Sequence, residues 1–555
     1  MTLTEAARAL RDGAVTSVGL TEAAIAAAER ADGALGVYVT RFDERARTAA
    51  RRADEELARG VDRGPLHGIP VGVKDTVAVA DGPTTAQSLA HDPHWWAGRD
   101  APVVARLRAA GAVLTGKTTA MEHGCGLPEE DKPFPVPRNP WRPASWAGGS
   151  SSGSASGIAA GMFLAGLGSD TGGSIRMPAA FCGVSGLMPT YGRVPAAGCL
   201  PLAYSLDRVG PLARTARDCA AVLDVITGAP DGTPSFGDDL SGLRVGVVRE
   251  HHVPADSDPA LPGAFDAAVA VLSGLGASVA EVRLPYWQEM ITVTFVTAAS
   301  EGLAHHRVDL SRRWDDYGVA ARGLLARGAL VSGADYVQAQ RVRTVAQRAV
   351  DALFEDVDVV VCPTASIGAP PFADLADEAG HQDHAGVFGK IYTLYWNPLA
   401  NPVLAVPMGH TATGLPLSMQ LAGPVAGEAT ILRVGDAFQQ HTDWHRRTPD
   451  PYAAREPYVA EGPYGAQKSG AVREPRAAHA PRPRHPDAAV EVRSLLAAAG
   501  LPAGEREAAG FVAAHTAQRP AVDALFDVRA ARHARPVLRP DVTAGPDGFG
   551  GEVPA

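Results

Sequence analysis

The sequence predicts an α/β protein with a mixed central β-sheet that is covered by helices on both faces. Short runs rich in β-branched residues alternate with longer stretches whose apolar residues recur at helical spacing, a pattern typical of layered α/β domains. The chain has 555 residues, of which 46% are hydrophobic and 20% charged, so it can bury a large core. Its five cysteines are scattered without a C-x-x-C pair, which predicts neither a disulfide framework nor a structural zinc site.

The elements follow one another in a regular order. Residues 4–30 and 43–58 are rich in Ala, Glu and Arg, and this composition favours helices. Helix-period stretches also cover 265–275, 336–354 and 428–440. Seven strand-like runs lie between and around them, namely GIPVGV (68–73), AVLT (112–115), LRVGVV (243–248), ASVAEVRL (277–284), DVVVC (358–362), VLAVPM (403–408) and LPLSMQL (415–421).

The composition changes near residue 448, which predicts a division of the chain into four parts. One large domain covers 1–448, and a linker rich in Pro, Arg and Ala covers 449–487. A small helical segment is expected over 488–540 and a disordered tail over 541–555. The large domain is therefore expected to carry a compact helical appendage at its C-terminal side.

Charge and hydropathy restrict the partners and the compartment. The net charge of −10, with basic and acidic residues interspersed, argues against a nucleic-acid partner. No apolar signal-peptide core follows the N-terminus, and the densest apolar run, 158–167, is too short to span a bilayer. We expect a cytoplasmic protein that does not enter membranes, with a buried helix over 158–167.

Two motif matches are interpreted as false. GAVLTGKT (111–118) fits the P-loop pattern, but its four variable residues resemble a strand rather than a phosphate-binding loop, so Lys117 is expected to be structural. GSSSG (149–153) fits the G-x-S-x-G nucleophile elbow, yet no apolar strand precedes it.

The Gly/Ser-rich region 148–176 carries a stronger signal. Two loops of small residues flank an apolar helical stretch, which is not the pattern of a flexible linker. Gly172 and Gly173 free the backbone to aim amides at an oxyanion, and Ser174 follows directly as a candidate nucleophile.

These motifs make the chain similar to the amidase signature family, which consists of serine hydrolases with a Ser–Ser–Lys triad. The resemblance covers about residues 1–445 and implies the amidase-signature fold, with the catalytic site in the domain 1–448. The stretches that carry it are GIPVGVKD (68–75), GKTTAMEHG (116–124), NPW…GGSSSGSASG (139–157) and GLGSDTGGSIRMPAAFCGVSGLMPTYGRVP (166–195). Ser152, Thr119 and Met188 depart from the residues common in the family, but none of them is a triad position.

The resemblance assigns roles to three side chains and one loop. It makes Ser174 the nucleophile, Ser150 the bridging serine with a cis backbone, and Lys74 the general base. The expected oxyanion hole consists of the backbone amides of Thr171, Gly172, Gly173 and Ser174. The chemistry is consistent, because a serine needs a base and a lysine acts as one only when burial favours its free amine. No metal or other cofactor is expected.

Substrate contacts are harder to predict. The candidates are Met121, Glu122, His123, Gly124, Ser151, Tyr392 and Trp396. Core packing is at least an equal alternative for each of the other six, and hydrogen bonding to the backbone is an equal alternative for Ser151. For Asp170 and Arg176, which bracket the nucleophile loop, an ion pair that holds the loop is favoured over substrate contact.

The favoured function is hydrolysis of a C–N bond in a small amide or ureido compound. The alternatives are the amidase subunit of a glutamine-dependent amidotransferase that acts on aminoacyl-tRNA, and a catalytically inactive binding protein. Residues 294–313 lack the ARYDG-like segment associated with the tRNA-linked subunit. The helical segment 488–540 resembles the small third subunit of those complexes and of carboxybiuret-type hydrolases, and an unrelated helical tail is an equal alternative. A fused partner of this kind would fit a stand-alone hydrolase. The expected partner is a small-molecule amide, and a homodimer is one candidate assembly.

Overall fold

The computed structural model describes residues 1–228, 235–375, 384–450 and 488–536. The predicted tail 541–555 and all of the predicted linker beyond residue 450 lie outside these described residues. No helix in the described ranges is long and apolar enough to cross a membrane.

One mixed sheet of 11 strands organises the large domain, as the alternation of strand-like and helical segments predicts. The strands lie side by side in the order β1-β3-β2-β4-β6-β5-β10-β11-β9-β7-β8. Their bounds are β1 Tyr38–Arg41, β2 Pro70–Lys74, β3 Val113–Thr118, β4 Ala165–Asp170, β5 Ser185–Met188, β6 Arg208–Ala213, β7 Arg244–Val247, β8 Ser278–Glu281, β9 Val359–Pro363, β10 Val403–His410 and β11 Pro416–Ala422.

Helices cover both faces of this sheet. Along β9, Val359 and Val361 belong to one apolar core, whereas Val360 and Cys362 belong to the core on the opposite face. The helices are α1 Leu3–Arg11, α2 Ser17–Leu35, α3 Asp43–Ala58, α4 Pro102–Ala109, α5 Ser152–Ala159, α6 Arg176–Cys182, α7 Ala216–Thr227, α8 Leu261–Gly274, α9 Trp287–Arg312, α10 Val319–Ala326, α11 Gly333–Asp356, α12 His384–Phe388, α13 Glu428–Gln440, α14 Ala488–Ala498 and α15 Glu505–Ala524.

The parallel strands at the centre bring two motifs to one edge of the sheet. β2 runs parallel to β4, with Val73 opposite Leu167. Because parallel strands end on the same side, Lys74 at the end of β2 lies beside Asp170 at the end of β4. The loop that follows Asp170 carries Ser174.

The prediction of a buried helix over 158–167 is wrong in its position. The helix in this region, α5, ends at Ala159, and Ala165 already begins β4. Gly161 adopts a left-handed conformation with φ +75°, which ends the helix and lets the chain turn back into the sheet. The apolar run therefore divides between a helix end and a buried strand.

The P-loop match is confirmed as false. Residues 113–118 form β3, and the side chain of Lys117 is fully buried. Its Nζ donates to the Val77 carbonyl (2.7 Å) and the Thr84 hydroxyl (2.9 Å), and it lies 3.2 Å from Asp75 Oδ1. Lys117 is therefore a structural residue.

The two C-terminal helices pack against the large domain. α15 contacts α9, and α14 packs on α15 and on the turn Arg327–Leu330 that follows α10. Val492 and Phe511 join one apolar cluster of the large domain, and Leu525 joins another. The appendage thus shares the core of the domain.

Candidate active site

Lys74 lies at the centre of the candidate site, at the end of β2. Its side chain is completely buried. Nζ lies 2.7 Å from Ser150 Oγ and 2.9 Å from Ser169 Oγ. The amine is therefore held between a hydroxyl group of the loop before α5 and one of strand β4.

Burial changes the protonation of this lysine. It lowers the pKa of Lys74 to about 8, because a buried ammonium ion loses its hydration. Acidic groups nearby, among them Asp170 and Asp207, oppose the effect without reversing it. A free amine is thus accessible close to neutral pH, as a general base requires.

Ser150 precedes α5, and the peptide bond between Gly149 and Ser150 is cis. The next residue, Ser151, donates its backbone N–H to the Ser174 carbonyl (3.0 Å), which joins the two loops. Its Oγ bonds to the Ser169 carbonyl at 3.2 Å. The two Gly/Ser-rich loops predicted to lie close together are therefore in contact.

An ion pair holds the nucleophile loop, in agreement with the favoured interpretation of Asp170 and Arg176. Both side chains are fully buried, and Arg176 Nε lies 3.1 Å from Asp170 Oδ2. Arg176 also donates to the side chains of Asn397 (2.7 Å) and Gln420 (2.9 Å). Burial by itself would raise the pKa of Asp170, but Arg176, Asn397 and backbone amides hold it well below its usual range.

Three of the four predicted oxyanion amides are free of partners in the described ranges. The Gly173 N–H is different, because it donates to Asp170 Oδ1 at 2.7 Å, so its assignment to the oxyanion hole is corrected. The amides of Thr171, Gly172 and Ser174 donate to no described residue.

The shape of this loop depends on Gly173, which has φ +123°. A Cβ at this position would collide with the side chain of Thr393. Thr393 Oγ1 in turn donates to the Gly172 carbonyl at 2.7 Å. Glycine is therefore required both by the backbone conformation and by the close approach of Thr393.

A cavity of about 2280 Å³ opens onto these loops. Ser150, Thr171, Gly172 and the half-buried Ser174 line it. No hydrogen bond joins the Ser174 and Ser150 hydroxyls in the part of the chain that the structure describes. Apolar side chains make up the neighbouring wall, among them Trp146, Met177, Leu202 and Leu394.

Two of the seven predicted substrate contacts line this cavity, namely Gly124 and Tyr392. Trp396 does not, because it is fully buried in an apolar core with Tyr395. Ser151 is also fully buried, and its hydroxyl binds backbone. The expectation for both is corrected to a structural role.

The remaining three candidates, Met121, Glu122 and His123, do not line the cavity either. Met121 packs beside Gly149, and His123 packs against the rings of His306 and Tyr317. Glu122 accepts hydrogen bonds from Ser88 Oγ and from the Gly318 N–H, and burial raises its pKa to about 7. These contacts stabilise the surrounding loops.

Sequence reasoning missed two polar residues next to the site. Ser169 supplies the second hydroxyl at Lys74 Nζ, and Asp207 accepts a hydrogen bond from Thr171 Oγ1. Ser169 lies in β4, whose sequence carries no strand signal, and only the parallel pairing of β2 and β4 in the structure places it beside Lys74. No sequence pattern marks Asp207, whose position depends on the loop before β6.

The described residues contain no group of three or more His, Cys, Asp or Glu side chains placed to hold a metal ion.

Comparisons with known proteins show the family of the chain. The sequence model of the amidase family matches residues 19–432. A glutamyl-tRNA(Gln) amidotransferase subunit from Roseiflexus sp. (strain RS-1) is 40% identical over 485 residues, covering 81% of this chain and 98% of that protein.

Solved structures show the same fold. A crystal structure of an amidase has a TM-score of 0.72 at 33% identity, covering 80% of this chain and 100% of the other. An inhibitor-bound structure from a vestigial protein complex, related to the evolutionary origins of an s-triazine catabolic enzyme, has a TM-score of 0.72 at 32% identity. The match covers 80% of this chain and 98% of the chain in that structure.

Proposed function

The chain belongs to the amidase family, whose members act on amide C–N bonds, and from this premise we propose that it hydrolyses a small-molecule amide or ureido compound. Ser174 would be the nucleophile, Ser150 the relay and Lys74 the general base. The observation that carries the proposal is the 2.7 Å contact between Ser150 Oγ and the buried Nζ of Lys74. A serine hydroxyl paired with an accessible free amine is an activated group.

The reaction begins with two proton transfers. Ser174 passes its proton to Ser150 Oγ as Ser150 passes its own proton to Lys74 Nζ, and Ser174 Oγ attacks the amide carbonyl. The amides of Thr171, Gly172 and Ser174 then donate hydrogen bonds to the tetrahedral oxyanion.

The second half of the cycle returns the proton. Lys74 gives it back through Ser150 to the leaving nitrogen, the C–N bond breaks, and an ester on Ser174 remains. Water activated by the same relay cleaves this ester and restores the free serine.

The alternative of an amidotransferase subunit is supported by the 40% identity to the Roseiflexus protein. Such a subunit would release ammonia from glutamine, and its transfer activity would depend on partner subunits and ATP. A stand-alone hydrolase would release ammonia or an amine from small amides without either. This difference separates the two functions in one assay.

The test of the proposed nucleophile is covalent labelling. A fluorophosphonate is expected to add a single probe mass at Ser174, and Ser174→Ala is expected to abolish it. Ser152→Ala is the matched control, because Ser152 is buried and its hydroxyl binds the Gly148 carbonyl. Labelling elsewhere, or none in folded protein, would overturn the assignment and favour an inactive binding protein.

The test of the reaction is a substrate panel. Aliphatic amides, aryl amides, ureido compounds and glutamine are each supplied to the isolated chain, and release of ammonia or amine is measured. Turnover that requires Ser174 supports the hydrolase, whereas turnover of glutamine only with ATP and partner subunits supports the amidotransferase.

A further inference from the structure

An arginine in the wall of the active-site cavity has no acidic partner among the residues that the structure describes. Arg327 begins the turn Arg327–Leu330 after α10 and lines the same cavity as Ser150 and Ser174. Its Nε is sealed from solvent and makes no hydrogen bond, and no ion pair joins it to an acidic group within the described ranges. Burial lowers the pKa of its guanidinium, as expected for a cation that has lost water without gaining an anion.

Two acidic groups that line this cavity are engaged by other arginines. Asp335 forms a bidentate ion pair with Arg519 of α15, in which the two guanidinium nitrogens Nη1 and Nη2 each lie 2.9 Å from a carboxylate oxygen. Glu507 of α15 pairs with Arg322 of α10 at 2.6 Å. The cavity lining also includes Glu129, Asp131 and Asp256, and none of them forms an ion pair with Arg327 in the described ranges.

The wall is continuous from the nucleophile loop to this arginine. Thr171 Oγ1 donates to Asp207, which also accepts the Leu202 N–H at 2.9 Å. A Cβ on Gly302 of α9 would lie 3.4 Å from the Leu202 carbonyl and 2.8 Å from Leu325, two residues before Arg327. The loop from Thr171 to Ser174 and the side chain of Arg327 therefore line the same cavity.

The C-terminal helix α15 forms part of the cavity wall near Arg327. Both α14 and α15 pack on the turn that carries Arg327, and Phe511 shares an apolar cluster with Leu325 and Leu330. Residues of α15 from Arg506 to Val522 line the cavity. Because the Arg327 side chain is partly buried, water screens its charge less than on an open surface, and it would attract an anion.

We propose that Arg327 binds a carboxylate of the substrate, so that this enzyme prefers amides that carry a carboxylate away from the scissile bond. The planar guanidinium of arginine presents donors that match the two oxygens of a carboxylate. The proposal rests on the proposed hydrolysis at Ser174 and adds the class of substrate to it. The appendage contributes by closing the cavity over this subsite.

The experiment compares matched pairs of amides. Succinamate, glutaramate and adipamate are each assayed beside the amide in which a methyl group replaces the carboxylate. The wild-type chain is expected to favour the acid of at least one pair in kcat/KM. Arg327→Met is expected to reduce that preference about 10- to 100-fold through KM, with little change for the neutral amide. Arg327→Lys is expected to restore part of it.

Two control variants isolate the role of Arg327. Arg312→Met removes an exposed arginine of α9 and is expected to change neither substrate. Arg244→Met removes an arginine of β7 that pairs with Asp358 and does not line the cavity, and the acid preference is expected to remain. A wild-type enzyme without acid preference, or a preference that survives Arg327→Met, overturns the proposal.

A binding measurement keeps this test separate from catalysis. Calorimetry on Ser174→Ala is expected to show tighter binding of the acid than of its neutral partner, and Arg327→Met in that background is expected to remove the difference. Equal binding of both compounds overturns the role of Arg327 whether or not amides are hydrolysed. If the binding difference is present but the wild-type chain cleaves no amide, the proposed function fails while the carboxylate subsite stands.

Discussion

Lys74 and Lys117 show at the residue scale how surroundings decide the role of a side chain. Both are fully buried at one end of neighbouring strands. Lys117 has a carboxylate 3.2 Å away at Asp75, whereas the polar contacts of Lys74 Nζ are two serine residues. Burial lowers the pKa of both lysines, but the ion pair with Asp75 opposes this effect at Lys117, whereas the Lys74 amine contacts Ser150, which lines the cavity. This is the physical reason for assigning the base to Lys74.

The first prediction concerns pH. Because the pKa of Lys74 is lowered to about 8, kcat/KM for a neutral amide is expected to rise as pH increases through about 8 and then level off. The sign follows from the role, since only the unprotonated amine accepts the proton. The rate of fluorophosphonate labelling is expected to follow the same curve. A profile that is flat through this range would remove Lys74 as the base.

The second prediction concerns the replacement of that lysine. Lys74→Arg is expected to abolish turnover and Ser174 labelling, because a guanidinium keeps its proton at working pH. Lys117→Met is the matched control, for it removes a buried lysine from the next strand. It is expected to lower the free energy of unfolding by leaving Asp75 unpaired, yet to keep Ser174 labelling in the folded fraction. Substantial turnover by Lys74→Arg would contradict the mechanism.

The third prediction concerns the ion pair under the nucleophile loop. Arg176→Met leaves Asp170 buried without its cation and is expected to lower the free energy of unfolding by about 3–5 kcal/mol. The more exposed ion pair of Arg244 and Asp358 serves as the comparison. Arg244→Met is expected to lower the free energy of unfolding by less than about 1 kcal/mol. Urea unfolding of both variants measures the difference. Equal losses would show that burial does not govern this pair.

At the element scale, two positive-φ glycines have different consequences. Gly173 turns the nucleophile loop against Thr393, whereas Gly161 ends α5 in open space. The fourth prediction is that Gly173→Ala lowers kcat/KM at least about 100-fold, since a displaced loop misplaces the amides that stabilise the oxyanion. Gly161→Ala meets no neighbour, and we expect it to lower stability by about 1 kcal/mol with activity retained. Steady-state kinetics with thermal melting tests both, and an active Gly173→Ala enzyme would contradict the assigned loop.

Strands rich in small residues are the elements that the sequence predicts least well. β4 has the sequence AGLGSD and β5 has SGLM, and neither shows the β-branched run that predicts a strand. Their assignment depends on pairing with β6, which is a contact distant in sequence. The apolar strands β9, β10 and β11 were predicted because their own residues carry the signal.

At the scale of the whole molecule, the C-terminal helices behave as part of the core. Leu525 is fully buried in the cluster that contains Trp287 and Tyr395 of the large domain. The fifth prediction is that Leu525→Ala lowers the free energy of unfolding by about 2–5 kcal/mol in one cooperative transition. Val490→Ala in α14 is the control, because Val490 is exposed and its truncation is expected to be nearly neutral. A separate early transition for the appendage would show that it folds independently.

The sequence by itself determined the α/β class, the family and the identity of the three proposed catalytic side chains. These features depend on local sequence patterns and on short motifs. Few other residue types can perform the chemistry of the residues in these motifs. GIPVGVKD and GSDTGGS carry Lys74 and Ser174 in this way.

Only the tertiary structure decided which groups surround them. Ser169 reaches Lys74, Asp170 occupies the Gly173 amide, and Trp396 enters the core because strands and loops distant in sequence meet at one edge of the sheet. The isolation of Arg327 becomes visible only when α10 and α15 have paired the other charges. Pairing and burial are properties of the assembled chain, since they depend on neighbours that no local pattern specifies.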